Sequence, residues 1–120
     1  MTQVADILVI RKADFEFRPV GGDGAAGLSL ARLYQNPDRA LTFQLARIDP
    51  GGISRRHAHA WEHEMFVHAG TGEVYGNGQW QPMAAGNVLF IPGNEEHQMR
   101  NTGQAPLIVV CLVPPSAPEL

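Results

Sequence analysis

The chain of 120 residues holds one cysteine, Cys111, so no disulfide can form within it. That thiol count suits a cytoplasmic protein. Cationic residues are scarce: nine Lys and Arg stand against twelve Asp and Glu, for a formal net charge of −3. The adjacent basic pairs Arg11-Lys12 and Arg55-Arg56 make no basic stripe, so neither nucleic acid nor an anionic membrane is an expected partner. No apolar run approaches the roughly 18–20 residues of a membrane span. Met1–Asp6 carries no basic stretch ahead of an apolar one, so no signal peptide is expected. A Ser-His-Asp set, a phosphate-binding glycine loop, a dinucleotide fingerprint and a zinc-ribbon cysteine pattern are all missing. So are internal repeats and any sustained helical period.

What the chain does have is short apolar runs cut by thirteen glycines and nine prolines. With 44% hydrophobic and 18% charged residues it can bury a core, and its length fits one domain. Strands are expected over Ile7–Lys12, Leu28–Tyr34, Leu41–Ile48, Arg55–Ala58, Glu64–Ala69, Gly72–Tyr75, Val88–Ile91, Glu96–Asn101 and Leu107–Val113. Turns are expected at Gly21–Gly24, Asn36–Asp38, Asp49–Gly52, Gly76–Gly78 and Asn101–Gly103. Ala25–Leu33 admits a helical reading, but strand is preferred. Many short strands at this spacing predict an all-β sandwich or barrel. The proline-rich end, 114–120, cannot continue a sheet.

Four of the five histidines fall in two of these segments. His57, His59 and His63 follow Gly51-Gly52; His97 follows Pro92-Gly93-Asn94. Imidazole is the commonest protein ligand for transition metals, and an imidazole-rich site suits zinc, copper, iron or nickel better than magnesium or calcium. Residues two apart in a strand share a face, so His57 and His59 point the same way. His63 can join them if the strand bends or continues past Trp61, and Glu64 would then face away. His68 lies on the opposite parity and reads as a plain residue. Cys111 sits in an apolar run and reads as a small hydrophobe or a pocket wall. Trp61 and Phe66 read as packing or interface residues.

These two segments resemble the paired motifs of the cupins, small β-barrels of the jelly-roll type. In the first motif a glycine is followed by five residues and then His-x-His, as Gly51 is followed here by His57-Ala58-His59. In the second, Gly86, Pro92, His97 and Asn101 match the spacing, while the glycine after proline stands at Gly93 and not at position 94, where Asn94 tolerates a left-handed backbone. The resemblance implies one cupin domain over 1–120: an arm and lead-in strands to about residue 40, a barrel over 41–113 carrying both motifs, and a tail.

The glutamate of the first motif is contested. Counting back from Gly70 reaches His63, and counting on from His59 reaches Glu64. Strand parity and likeness to a four-histidine subgroup favour His63 as ligand, with Glu64 as a supporting or surface residue. The expected cofactor is one divalent transition metal ion per chain at His57, His59, His63 and His97. Manganese or iron is favoured, and nickel, copper or zinc fits too.

Likeness to small cupins that cleave carbon–carbon bonds oxidatively makes a metal-dependent dioxygenase the leading expectation. Its substrate would be a small, mainly apolar organic molecule. A non-oxidative lyase or isomerase, or a ligand-binding cupin without turnover, are the alternatives, since fold does not choose among them. Strand position makes Phe43, Gln44, Ala46, Met99, Val109 and Cys111 the expected pocket walls. A homodimer is expected, because so small a barrel leaves edges and apolar outer faces to cover.

Overall fold

The computed structural model describes residues 10–34 and 41–114. Among them run one 3₁₀ turn, Lys12–Asp14, and nine strands. These are β1 Arg18–Gly22, β2 Ala25–Tyr34, β3 Thr42–Ile53, β4 His63–Ala69, β5 Thr71–Gly76, β6 Gln79–Ala84, β7 Val88–Ile91, β8 Gln98–Asn101 and β9 Leu107–Val113. The all-β expectation holds, and the strands form one curled antiparallel sheet.

The main hydrogen-bonded path runs β6-β5-β8-β3-β9-β4-β7, with β2 added on β3 and β1 on β2. Strict alternation builds the core. In β9, Leu107, Val109, Cys111 and Val113 are buried and their neighbours are half-buried. In β4, His63, Met65 and Val67 point inward while Glu64, Phe66 and His68 are exposed. Curling brings these inner faces together with Leu28, Ile48, Leu89 and Met99.

The ends of the path, β6 and β7, are consecutive in the chain. A tight turn joins them, closed by the Ala84 N–H on Asn87 Oδ1 (2.8 Å) and pinned to β4 by the Gly86 N–H on the Val67 carbonyl (2.8 Å). Among the described residues the two strands are not paired with each other. They leave the turn splayed, with a gap between them.

Several expected elements differ. Ile7–Val9 lies outside the described residues, and Lys12 begins the 3₁₀ turn instead of ending a strand. The turn expected at Asp49–Gly52 is a bulge inside β3: β2 partners pass from Leu28↔Ile48 to Ala26↔Ile53, with Gly51 at φ 79°. Arg55–Ala58 is no strand, and only the isolated bridge His57↔His97 joins it to the rest. Strands β1 and β6 were not expected.

Asn101, at the end of β8, acts as a staple. Its buried amide donates to the Ile48 and Ala105 carbonyls and accepts from the Gly103 N–H, all at 2.8 Å. Asn101→Ala should orphan these buried groups and cost about 2–3 kcal/mol, read as a lower urea midpoint at unchanged slope.

Candidate metal centre

Two backbone connections set the histidine geometry. The segment after β3 passes alongside the segment before β8, where His57 and His97 exchange both backbone hydrogen bonds (3.1 and 2.9 Å). The Pro92–Asn94 turn then docks on the same segment, with the Asn94 N–H on the His59 carbonyl at 2.6 Å. Asn94 takes the left-handed conformation, φ 66°. Gly93 is needed for close approach, since a Cβ there would collide with the Ala60 carbonyl. Gly93→Ala is therefore expected to push the His59 segment away and lower metal retention several-fold, checked by metal analysis after gel filtration.

The four rings converge. Ring centroids lie 4.6 Å apart for His57–His97 and His59–His63, 4.9 Å for His59–His97, 5.1 Å for His57–His59 and 5.2 Å for His63–His97. His57, His59 and His97 each offer a ring nitrogen within 4.8 Å of the others, so these three can hold a metal ion. His63 is fully buried at the start of β4, and its Nε2 lies 2.8 Å from His59 Nε2. Glu64 is exposed on the outer face, as is His68.

Backbone carbonyls select the tautomers. His59 Nδ1 lies 2.8 Å from the Trp61 carbonyl, and His97 Nδ1 lies 2.8 Å from the Glu95 carbonyl. Each Nδ1–H donates there and leaves its Nε2 with a lone pair turned into the cluster, the usual support of a metal-ligating histidine. The Trp61 ring stacks on His59 at 4.1 Å and holds its plane. Sequence reasoning missed these supports; the signal was a carbonyl two residues from each histidine.

The donors fit a cation. His97 Nε2 is buried without a hydrogen-bond partner, and so is His63 Nδ1. Buried polar atoms seldom stay unpaired. Burial lowers the pKa of His57 to about 4, helped by His97, His59 and Arg55. Burial and then the other three histidines lower that of His63 to about 3. His97 is lowered chiefly by burial, against its bond to the Glu95 carbonyl. These three imidazoles are neutral at pH 7, the state a metal requires.

A cavity of about 430 Å³ reaches the cluster at His97. It occupies the gap between β6 and β7, walled by Val74, Gln81, Met83, Leu89 and Ile91. The expected walls do not line this gap. Phe43 is 43% exposed on the outer face, because it neighbours the buried Gln44 in β3 and must point the other way. Gln44, Ala46, Met99, Val109 and Cys111 are buried inside the sheet, and none of them lines this cavity. Burial pushes the Cys111 thiol up to about 12, so it is chemically quiet.

Comparison with known proteins agrees with this geometry. The cupin domain family matches residues 44–113, more than half of the chain, and the chain belongs to that family. Over 77 residues it is 30% identical to an oxalate-binding protein of Thermotoga maritima. That match covers 63% of this chain and 64% of the relative's length. Among solved structures it is similar to a predicted oxalate decarboxylase of Thermotoga maritima (TM-score 0.80, 26% identity, 89% of this chain and 98% of that one). It shares its fold with the polyketide cyclase RemF of Streptomyces resistomycificus (TM-score 0.85, 22% identity, 95% of this chain and 83% of that one). No helix among the described residues is long and apolar enough to cross a membrane.

Proposed function

We propose that this cupin is a metal-dependent oxidoreductase of the dioxygenase type, cleaving a carbon–carbon bond in a small, mainly apolar organic molecule. The observation that carries the reading is a cluster of four converging imidazoles, with His97 Nε2 buried and unpartnered, beside a cavity that reaches His97. His57, His59, His63 and His97 hold one divalent ion, manganese or iron by preference. When bound, such an ion supplies Lewis acidity and a route for electrons between substrate and dioxygen. The Trp61 and Glu95 carbonyls orient His59 and His97. Met83, Leu89 and Ile91 keep water from the inner wall. Metal analysis followed by oxygen uptake with phenols, enols and diketones tests the reading. Full metal occupancy with no oxygen uptake on any of them would reject it.

A second reading, a lyase or isomerase without oxygen, is favoured by one observation: Glu95 places a carboxylate on the cavity wall beside His97. Turnover of such a substrate under argon, abolished in Glu95→Gln, would select it. The relative named for oxalate binding supports a third, a cupin that holds a small ligand without turnover.

We also propose a homodimer. On the outer face, strand register sets Phe43, Leu112, Glu64 and Phe90 in one row and Leu45, Val110, Phe66 and Val88 in the next. Val88 is 76% and Phe90 59% exposed. This largely apolar face, with Glu64 as its one acidic member, fits a second copy of itself about a two-fold axis. Light scattering at micromolar concentration should give twice the 13.1 kDa chain mass; the monomer mass would refute the dimer.

A further inference from the structure

We infer that the splayed gap between β6 and β7 is the doorway of the site, and that it admits neutral, ring-bearing molecules and disfavours small dianions such as oxalate. The destination of the molecule rests on the metal-centre reading above; the selectivity rests on the walls.

Size is the first argument. An apolar cavity of about 150 Å³ holds one benzene ring. The gap of about 430 Å³ therefore has room for roughly two to three rings. Oxalate, two carboxylates joined by one bond, would leave most of that space to water and touch few of the walls.

Charge is the second argument. Among the described residues no lysine or arginine lines the gap, and the carboxylate on its wall, Glu95, repels anions. In the gap itself a dianion would lose hydration and gain no protein cation in return, whereas buried carboxylates need paired, hydrogen-bonded partners. Only an ion bound at the inner end would attract it, so the selectivity of the walls is read on metal-free protein. Two guanidiniums of the neighbouring outer face are already engaged. Arg56 lies 3.7 Å over the Tyr75 ring with its Nε donating to Gln98. Arg100 lies over Trp80 and is paired with Glu73 at 2.6 Å.

Wall chemistry is the third. Met83, Leu89 and Ile91 are buried and offer an apolar inner surface, with Val74 half-buried beside them. Gln81 and Asn77 at the exposed margin offer uncharged amides to a hydroxyl or carbonyl group.

The test is calorimetric titration of 1-naphthol and of sodium oxalate into the full chain, both loaded with Mn²⁺ and stripped by chelator, with metal content measured in each. Naphthol is expected to bind the stripped protein at least tenfold tighter than oxalate, and to bind the loaded protein within tenfold of that affinity. It should shift the methyl NMR signals of Val74, Met83, Leu89 and Ile91. Gln81→Arg, at an exposed position, should strengthen oxalate binding to the stripped protein several-fold. Leu89→Trp should fill the gap and remove naphthol binding; if that variant does not fold, the methyl shifts in the native chain decide. Oxalate binding the stripped protein as tightly as naphthol, naphthol failing to bind at its solubility limit, or shifts confined to other methyls would overturn the inference. A protein that takes no metal but binds naphthol at these methyls would reject the metal centre and keep the doorway. A protein that takes a full equivalent of metal but prefers oxalate once stripped would do the reverse.

Discussion

His63→Ala should weaken metal retention by about tenfold or more, while Glu64→Gln leaves metal content nearly unchanged. Tenfold is the scale of loss found even for groups that only support a metal ligand. The expectation follows from which way β4 turns its side chains. His63 is fully buried, with its Nε2 2.8 Å from His59 Nε2, a separation two ligands of one ion can share. Glu64 is exposed on the other face, in register with Phe90 and Leu112. Metal stoichiometry by elemental analysis after dialysis, with circular dichroism to confirm folding, decides the matter. A site emptied by Glu64→Gln and kept by His63→Ala would show that the ligand set is three histidines and a carboxylate.

Metal should also stabilise the fold strongly, and acid should weaken the metal-free form. Free ion at a hundred times its Kd adds about 2.7 kcal/mol to the folded state. For a domain of this size that is a rise in Tm of about 10 °C over chelated protein. The pH dependence follows from the lowered histidine pKa values. An unfolded histidine takes up its proton near the ordinary value of 6.5, whereas folded His57 waits until about 4 and folded His63 until about 3. Between those limits the unfolded chain binds more protons, so stability increases with pH there. The contribution of neutral imidazole to folding is thus complete above pH 6.5 and is lost as pH falls through 4 and 3. Urea midpoints of chelated protein at pH 7.5, 5.5 and 4.5 should fall in that order. A flat series would contradict the burial of these rings.

Much of this was legible in the sequence for identifiable reasons. Val88–Ile91 and Leu107–Val113 are apolar runs between clear turn signals, and both strands have the expected bounds. The histidine spacing pointed to a site able to hold a metal because it matches both cupin motifs, and three of those histidines do offer ring nitrogens close enough to share an ion. Other elements hid behind local chemistry. Gln79–Ala84 is polar and contains Pro82, which argues against a central strand; β6 lies at one end of the sheet path, where a missing N–H is tolerated. Arg55–Ala58 alternates like a strand, yet its backbone pairs only through His57, because the chain is turning to bring His59 toward His97. Phe43 and Gln44 could not both be walls, since adjacent strand residues face opposite ways. The walls of the gap depend on β6 and β7 parting after their shared turn, a long-range event that no local pattern records.

The depressed histidine pKa values carry one more consequence, for the thermodynamics of loading. Ordinary histidine sites are partly protonated near neutrality and must expel protons before a metal can enter. Here His57, His63 and His97 are already neutral at pH 7. For these three ligands the heat of metal uptake should therefore be blind to the buffer's heat of ionisation, and protons should compete with the metal for them only in more acidic solution than at ordinary imidazoles.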